Sequence, residues 1–260
     1  MTDDKSLNVI VSGSDSRLPP VLLAHGLFGS AKNLGGLARR MENSRRVISV
    51  DMRNHGESFH DPDHSYAAMA QDLADVIAQH GGTADLVGHS MGGKAGMLLA
   101  LTQPGLIRRL VVLDIAPLAY EHSQIRLIEA MQDLDLSGLK LRSDADNRLA
   151  AKVDEAGVRA FLLQSLDLKA DPPRWKLNLP VLHELMAQIT GWPENAPQGS
   201  FDGPTLFVGG ARSNYIEAEG EAAIRRFFPQ AELRKIDDAG HWLHAEQPRL
   251  VADCVAAFLA

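Results

Sequence analysis

The feature that most constrains this chain is an alternation of two kinds of segment. Short apolar runs rich in Val, Ile and Leu occupy residues 9–11, 21–24, 47–50, 86–87, 110–113, 206–208 and 233–236. Amphipathic stretches at 31–42, 66–80, 91–103, 215–228 and 246–259 lie between them. The runs are mostly free of charge, as in strands covered on both faces. Strands alternating with helices predict an α/β fold with a mostly parallel central sheet and helices on both faces. Pro248 falls in the first turn of the last helix, where its missing N–H is of little consequence.

The alternation breaks once. From Pro117 to Gly203 no run reads as a buried strand, and helical patterns fill the gap at 121–134, 146–154, 156–166 and 180–190. Leu134, Leu136, Leu139 and Leu141 alternate, but Asp133, Asp135, Ser137 and Gly138 make a poor strand of them. Prolines 172, 173, 180, 193, 197 and 204 punctuate the second half. The expected organisation is a core of residues 1–117 and 203–260, with a helical cap, 118–202, inserted after the sixth strand.

Composition excludes several classes of function. Lys and Arg number 26 against 33 Asp and Glu, a net charge of −7, which argues against nucleic-acid binding. The one cysteine, Cys254, excludes an intrachain disulfide and a Cys-rich zinc site. No apolar stretch approaches the roughly 20 residues of a membrane span; residues 97–101 are far shorter and follow Lys94 closely. The start of the chain carries Asp3, Asp4 and Lys5 rather than a basic end and an apolar core, so no secretory signal is expected. A cytoplasmic protein without stable membrane association is the expectation.

Chemistry enters with Gly88-His89-Ser90-Met91-Gly92. It fits G-x-S-x-G, preceded by a predicted strand and followed by a predicted helix, the context that motif requires. A serine on such a strained turn projects its hydroxyl above the sheet edge, and glycines two residues either side avoid collision. Ser90 is the candidate nucleophile. The helix starting at Met91 presents free N–H groups and its positive dipole end beside that serine, so the Met91 N–H is one oxyanion donor. The loop His25-Gly26-Leu27-Phe28-Gly29 after the second strand should supply the other, with Leu27 first choice and Phe28 second.

Ten histidines compete for the role of general base. In doubly wound sheets the site lies outside the carboxyl ends of the strands. His241 follows the last strand and completes a Ser…Asp…His chain order. His60 with His64, and His241 with His244, have spacings that suit a metal, but no supporting carboxylate cluster accompanies them; no metal and no organic cofactor are expected.

The acid is less conventional. The loop after the strand at 205–208 reads Gly209-Gly210-Ala211-Arg212-Ser213-Asn214-Tyr215 and has no carboxylate before Glu217. Ser213 stands where one is expected, and a hydroxyl orients an imidazole without supplying charge. Asp114, closing the apolar run 110–113, is the favoured source of charge. Asp237 and Asp238 are the alternatives, though a residue on the same short turn more readily bonds the local backbone.

These residues resemble the α/β-hydrolase fold. Three further stretches narrow the likeness: Asp51-Met52-Arg53-Asn54-His55-Gly56-Glu57-Ser58, Asp114-Ile115-Ala116-Pro117 and Ala239-Gly240-His241-Trp242-Leu243-His244-Ala245-Glu246. With Gly88 to Lys94, they are similar to the YbfF-like esterases, the branch that includes abhydrolase domain-containing protein 11. Trp175-Lys176-Leu177-Asn178-Leu179-Pro180 matches that pattern inside the insertion. The resemblance implies an acid after the sixth strand with a serine at the usual acid position, matching Asp114 and Ser213. It also implies small-molecule esters of short to medium acyl chains, or acyl thioesters, as substrates. Other cofactor-free reactions of the fold and a non-catalytic binding protein on the same scaffold are the alternatives. Trp175 and Trp192 of the insertion are the candidate substrate-binding residues, with Leu162, Leu163, Leu166, Leu182 and Leu185 as further candidates for an acyl pocket. The Arg53–Gly56 turn is expected to pin loops beneath the site. Oligomeric state has no signature in the sequence.

Overall fold

A computed structural model describes residues 5–260. Residues 1–4, on which the expectation about a secretory signal partly rests, lie outside them. The strands are β1 (Val9–Ser12), β2 (Val21–Ala24), β3 (Val47–Val50), β4 (Ala84–His89), β5 (Ile107–Leu113), β6 (Leu166–Asp167), β7 (Arg174–Trp175), β8 (Thr205–Gly210) and β9 (Ala231–Ile236). Seven of them form one sheet in the order β1-β3-β2-β4-β5-β8-β9. β1 pairs antiparallel with β3, and every other pairing in that sheet is parallel.

The period-two alternation of side chains along the inner strands explains why β2 and the runs 86–87, 110–113 and 206–208 are apolar on both faces. Leu22, Leu86, Leu110 and Val112 point to one core, shared with the helical segments 66–79 and 91–102. Val21, Val87, Val111 and Leu113 point to a second core on the opposite face, shared with the helical segments 35–41 and 248–259. A polar side chain has no solvent to face on either side.

The helices are α1 (Gly35–Met41), α2 (Tyr66–Gln79), α3 (Met91–Thr102), α4 (Ile125–Gln132), α5 (Arg142–Leu149), α6 (Ala156–Leu162), α7 (Leu179–Glu184), α8 (Met186–Thr190), α9 (Ala218–Phe227), α10 (Leu243–Glu246) and α11 (Pro248–Leu259). The expected helices 31–42, 156–166 and 180–190 are each divided. The stretch 31–42 is a 3₁₀ turn, Ala31–Leu34, followed by α1. The expected last helix, 246–259, is α11, with Pro248 in its first turn as expected and the short α10 just before it.

The helical segment 118–202 follows β5, the fifth strand of the chain, not a sixth as expected. Among the described residues only four strands precede β5, so the expected count was one too high. The segment also contains a small antiparallel pair, β6 with β7, which the sequence did not signal. The motif 51–58 fastens this segment to the sheet. The Asn178 N–H donates to the Asn54 carbonyl (3.0 Å), and the Asn178 side-chain amide donates to Asn54 Oδ1 (2.9 Å). Beside them His55 and Leu177 form a β-bridge.

Candidate active site

The site is assembled at the carboxyl ends of four adjacent strands, β4, β5, β8 and β9. Each end contributes one element. Ser90 follows β4 and caps α3 with φ 49° and ψ −117°, a left-handed conformation uncommon for a residue with a side chain. The flanking glycines make that turn sterically feasible. A Cβ on Gly88 would strike the Gly92 carbonyl, and one on Gly92 would lie 2.5 Å from the Ala24 carbonyl oxygen.

Asp114 directly follows β5, also at positive φ (53°), and is 0% exposed. Its carboxylate accepts three hydrogen bonds. The Gly210 N–H donates to Oδ1 (2.9 Å), and the Ser213 hydroxyl donates to Oδ2 (2.5 Å). His241 Nδ1 donates to the same Oδ2 at 2.8 Å. The other ring nitrogen, Nε2, lies 3.1 Å from Ser90 Oγ. Ser90, His241 and Asp114 therefore form one continuous row, with Ser213 beside the carboxylate. Asp237 and Asp238 make no bond to the imidazole; Asp238 instead offers its carbonyl to Arg212 (2.7 Å).

The loop bearing His241 is fixed from two sides. Glu246 Oε2 accepts the Gly240 N–H (3.0 Å) and an Arg212 Nη2 bond (3.1 Å). On the other side His89 Nε2 donates to the His241 carbonyl (2.9 Å). His89 is buried, and desolvation followed by its neighbours His244 and His241 holds its pKa well below the usual value. It is a neutral hydrogen-bonding strut.

The loop 25–29 is braced by two more neutral imidazoles. His25 Nδ1 bonds the Gly26 carbonyl (2.8 Å) while Nε2 accepts from the Met52 N–H (2.9 Å). His55 Nδ1 bonds the Arg53 carbonyl (2.9 Å) while Nε2 accepts from the Phe28 N–H (3.2 Å). Burial lowers the pKa of both. The second of these bonds corrects one expectation. The Phe28 N–H is committed to His55 and is not free for an oxyanion. Among the described residues the N–H groups of Leu27 and Met91 have no acceptor.

The cavity over Ser90 is walled by Leu27, Phe28 and Met91 below, and by Tyr120, His122, Leu127 and Ile189 of the 118–202 segment above. Tyr66, Lys94, Tyr215 and Trp242 are among its other walls. Trp175 and Trp192, expected as substrate-binding residues, are not among its walls. Trp175 donates its indole N–H to the Met131 carbonyl (2.9 Å), inside the segment. Trp192 lies beside Phe227, with centroids 6.1 Å apart. Both are large apolar side chains held by packing, away from the site. The leucines named with them do not reach the cavity either.

Sequence reasoning missed Tyr215, whose ring lies against His241, and Lys94. Lys94 carries a legible signal: it is the one charge in the otherwise apolar helix α3. Among the described residues no helix is long and apolar enough to cross a membrane.

Comparison with known proteins agrees with this fold. The alpha/beta hydrolase fold family matches residues 19–248. This chain belongs to that family. Among its relatives in the alpha/beta hydrolase family, the sn-1-specific diacylglycerol lipase ABHD11 of Mus musculus is 42% identical over 255 residues, covering 95% of this chain and 82% of that protein. Esterase YbfF of Escherichia coli (strain K12) is 41% identical over 244 residues, covering 92% of each. The solved structure of a marine microorganism esterase superposes with a TM-score of 0.92 at 33% identity, covering 98% of this chain and 100% of that one.

Proposed function

We propose that Ser90, His241 and Asp114 are the catalytic triad of a carboxylic ester hydrolase working through an acyl-serine intermediate. The observation that carries this reading is the unbroken row from Ser90 Oγ to His241 Nε2 (3.1 Å) and from His241 Nδ1 to Asp114 (2.8 Å). The esterase and lipase names of its relatives agree with it.

In this reading His241 Nε2 takes the Ser90 proton as Oγ attacks the ester carbonyl. The oxyanion that forms accepts the N–H groups of Leu27 and Met91. His241 then gives its proton to the leaving alcohol, and the C–O bond breaks. Water attacks the acyl-serine, His241 receives its proton, and Ser90 recovers that proton as the acid leaves. Asp114 balances the imidazolium charge throughout, and Ser213 steadies the carboxylate. The chemistry needs no metal or organic cofactor. An acyl thioester passes through the same steps with a thiol as leaving group.

The segment 118–202 acts as a cap, with 5–117 and 203–260 as the core. Tyr120, His122, Leu127 and Ile189 lie over Ser90, and such walls suit short to medium acyl chains. The test is turnover of a nitrophenyl-ester series by wild type, Ser90→Ala and His241→Ala. Loss of about 10⁴ or more in each variant is expected for members of a triad. Loss below tenfold in either would contradict the reading.

A further inference from the structure

The mechanism above leaves Lys94 unused. It stands four residues after Ser90 along α3, is 1% exposed, and lies on the wall of the same cavity. Its Nζ donates to the carbonyls of Thr190 (2.8 Å) and Gly191 (2.6 Å), at the end of α8. The ring of Tyr120 lies 4.8 Å from Nζ and that of Tyr66 5.7 Å. An ammonium has three N–H donors, so one is uncommitted.

All of these partners are neutral. Among the described residues no carboxylate pairs with Lys94, and burial with no opposing charge pulls its pKa down to about 7. Asp114 is already committed to His241, Ser213 and Gly210. A buried ammonium without a counter-ion is unfavourable, and the deficit is relieved when an anion arrives. A strap between α3 and α8 requires only a neutral donor and has no need to face the cavity.

We propose that Lys94 anchors a carboxylate carried on the substrate's acyl chain, so that the Ser90 cavity favours monoesters of dicarboxylic acids over simple fatty esters. This rests on the ester-hydrolase reading and narrows its substrate class. The ester carbonyl lies at Ser90, and the remote carboxylate accepts the third N–H of Lys94. Four residues at a rise of about 1.5 Å put the two Cα positions about 6 Å apart, one turn along the same face of α3, so a diacid of a few carbons, such as a six-carbon one, is the chain length to test. A charge-assisted bond to a carboxylate keeps the amine protonated, which a neutral chain cannot do.

The test compares hydrolysis of monomethyl adipate with that of methyl hexanoate, by wild type and by Lys94→Gln. Wild type is expected to favour the charged ester by at least tenfold in kcat/KM. That ratio should fall at least tenfold in Lys94→Gln, mainly through KM. A merely structural lysine moves both esters together, so a ratio unchanged within twofold overturns the proposal. A wild-type preference for the neutral ester overturns it too, and needs no folded variant. If neither ester is cleaved, the ester-hydrolase reading fails by itself and binding decides the role of Lys94. Monomethyl adipate should then raise the wild-type Tm where methyl hexanoate does not, and equal shifts would refute the anchor.

Discussion

The imidazole of His241 lies flat against the ring of Tyr215, with centroids 3.9 Å apart and planes 18° from parallel. Tyr215 is itself fixed. Its carbonyl accepts the Tyr120 hydroxyl proton (2.7 Å), and its N–H donates to Ser213 Oγ (3.3 Å). That same serine hydroxyl bonds Asp114. One short stretch of backbone therefore sets both the tilt of the imidazole and the surroundings of the carboxylate it pairs with.

Stacking of this kind contributes about 0.5–1.5 kcal/mol, equivalent to roughly 2- to 13-fold in rate. Tyr215→Ala should therefore lower kcat by about tenfold. Tyr215→Phe keeps the flat face and should stay within about threefold of wild type. Steady-state kinetics on one nitrophenyl ester decide it, and equal losses in the two variants would show that the face is not what matters.

Asp114→Asn removes the charge that balances the imidazolium and places an amide against Nδ1. The expected loss in kcat is about 10³–10⁴. Ser213→Ala removes one of three bonds to the carboxylate and leaves the charge in place, so its loss should be far smaller, about tenfold. Turnover by Asp114→Asn within tenfold of wild type would mean that His241 takes its charge elsewhere.

Much of this was legible in the sequence because each signal has a local physical cause. The apolar runs became strands since their side chains alternate between two buried cores. Ser90 was legible because only glycines at 88 and 92 fit against the neighbouring backbone. Other features had no local cause. Asp85 is 0% exposed at the start of β4, where Arg45 Nη1 (2.6 Å) and Arg108 Nε (2.8 Å) satisfy it. A charge there shortened the apparent apolar run, and its partners lie far away in sequence. Trp175 and Trp192 fail for a related reason: hydrophobicity reports that a side chain is buried, not which space it fills. The pairing of Tyr215 with His241 joins residues on different strand ends and has no sequence period to betray it.

Two glycine substitutions should have opposite signs. A Cβ on Gly92 meets the Ala24 and His25 carbonyls at 2.5 and 2.6 Å, and neither backbone group can retreat without moving the loop 25–29. Gly92→Ala should lower Tm and abolish most ester turnover. Gly36, inside α1, meets nothing within 4 Å, so Gly36→Ala should stabilise by about 0.5–1 kcal/mol with activity intact. Thermal melts of the two variants beside wild type check this, and a stabilising Gly92→Ala would contradict the packing described.

Stability should depend on pH through the buried imidazoles. Burial lowers the pKa values of His25, His55 and His89, and takes those of His64 and His244 to about 4. An unfolded histidine titrates near 6.5. As pH falls from 6.5 towards 4 the unfolded chain takes up protons that the folded chain does not, so stability is lost across that window. Above pH 7 this contribution is fully present. Calorimetry should find Tm falling steeply from pH 7 to pH 5, and a flat Tm over that interval would contradict the burial of neutral histidines.

The central claim is that Ser90 is an activated nucleophile, and intact-mass analysis after fluorophosphonate treatment tests it most directly. The account predicts one adduct on wild type and none on a folded Ser90→Ala variant. No adduct on folded wild type, or an adduct that persists in Ser90→Ala, would contradict it.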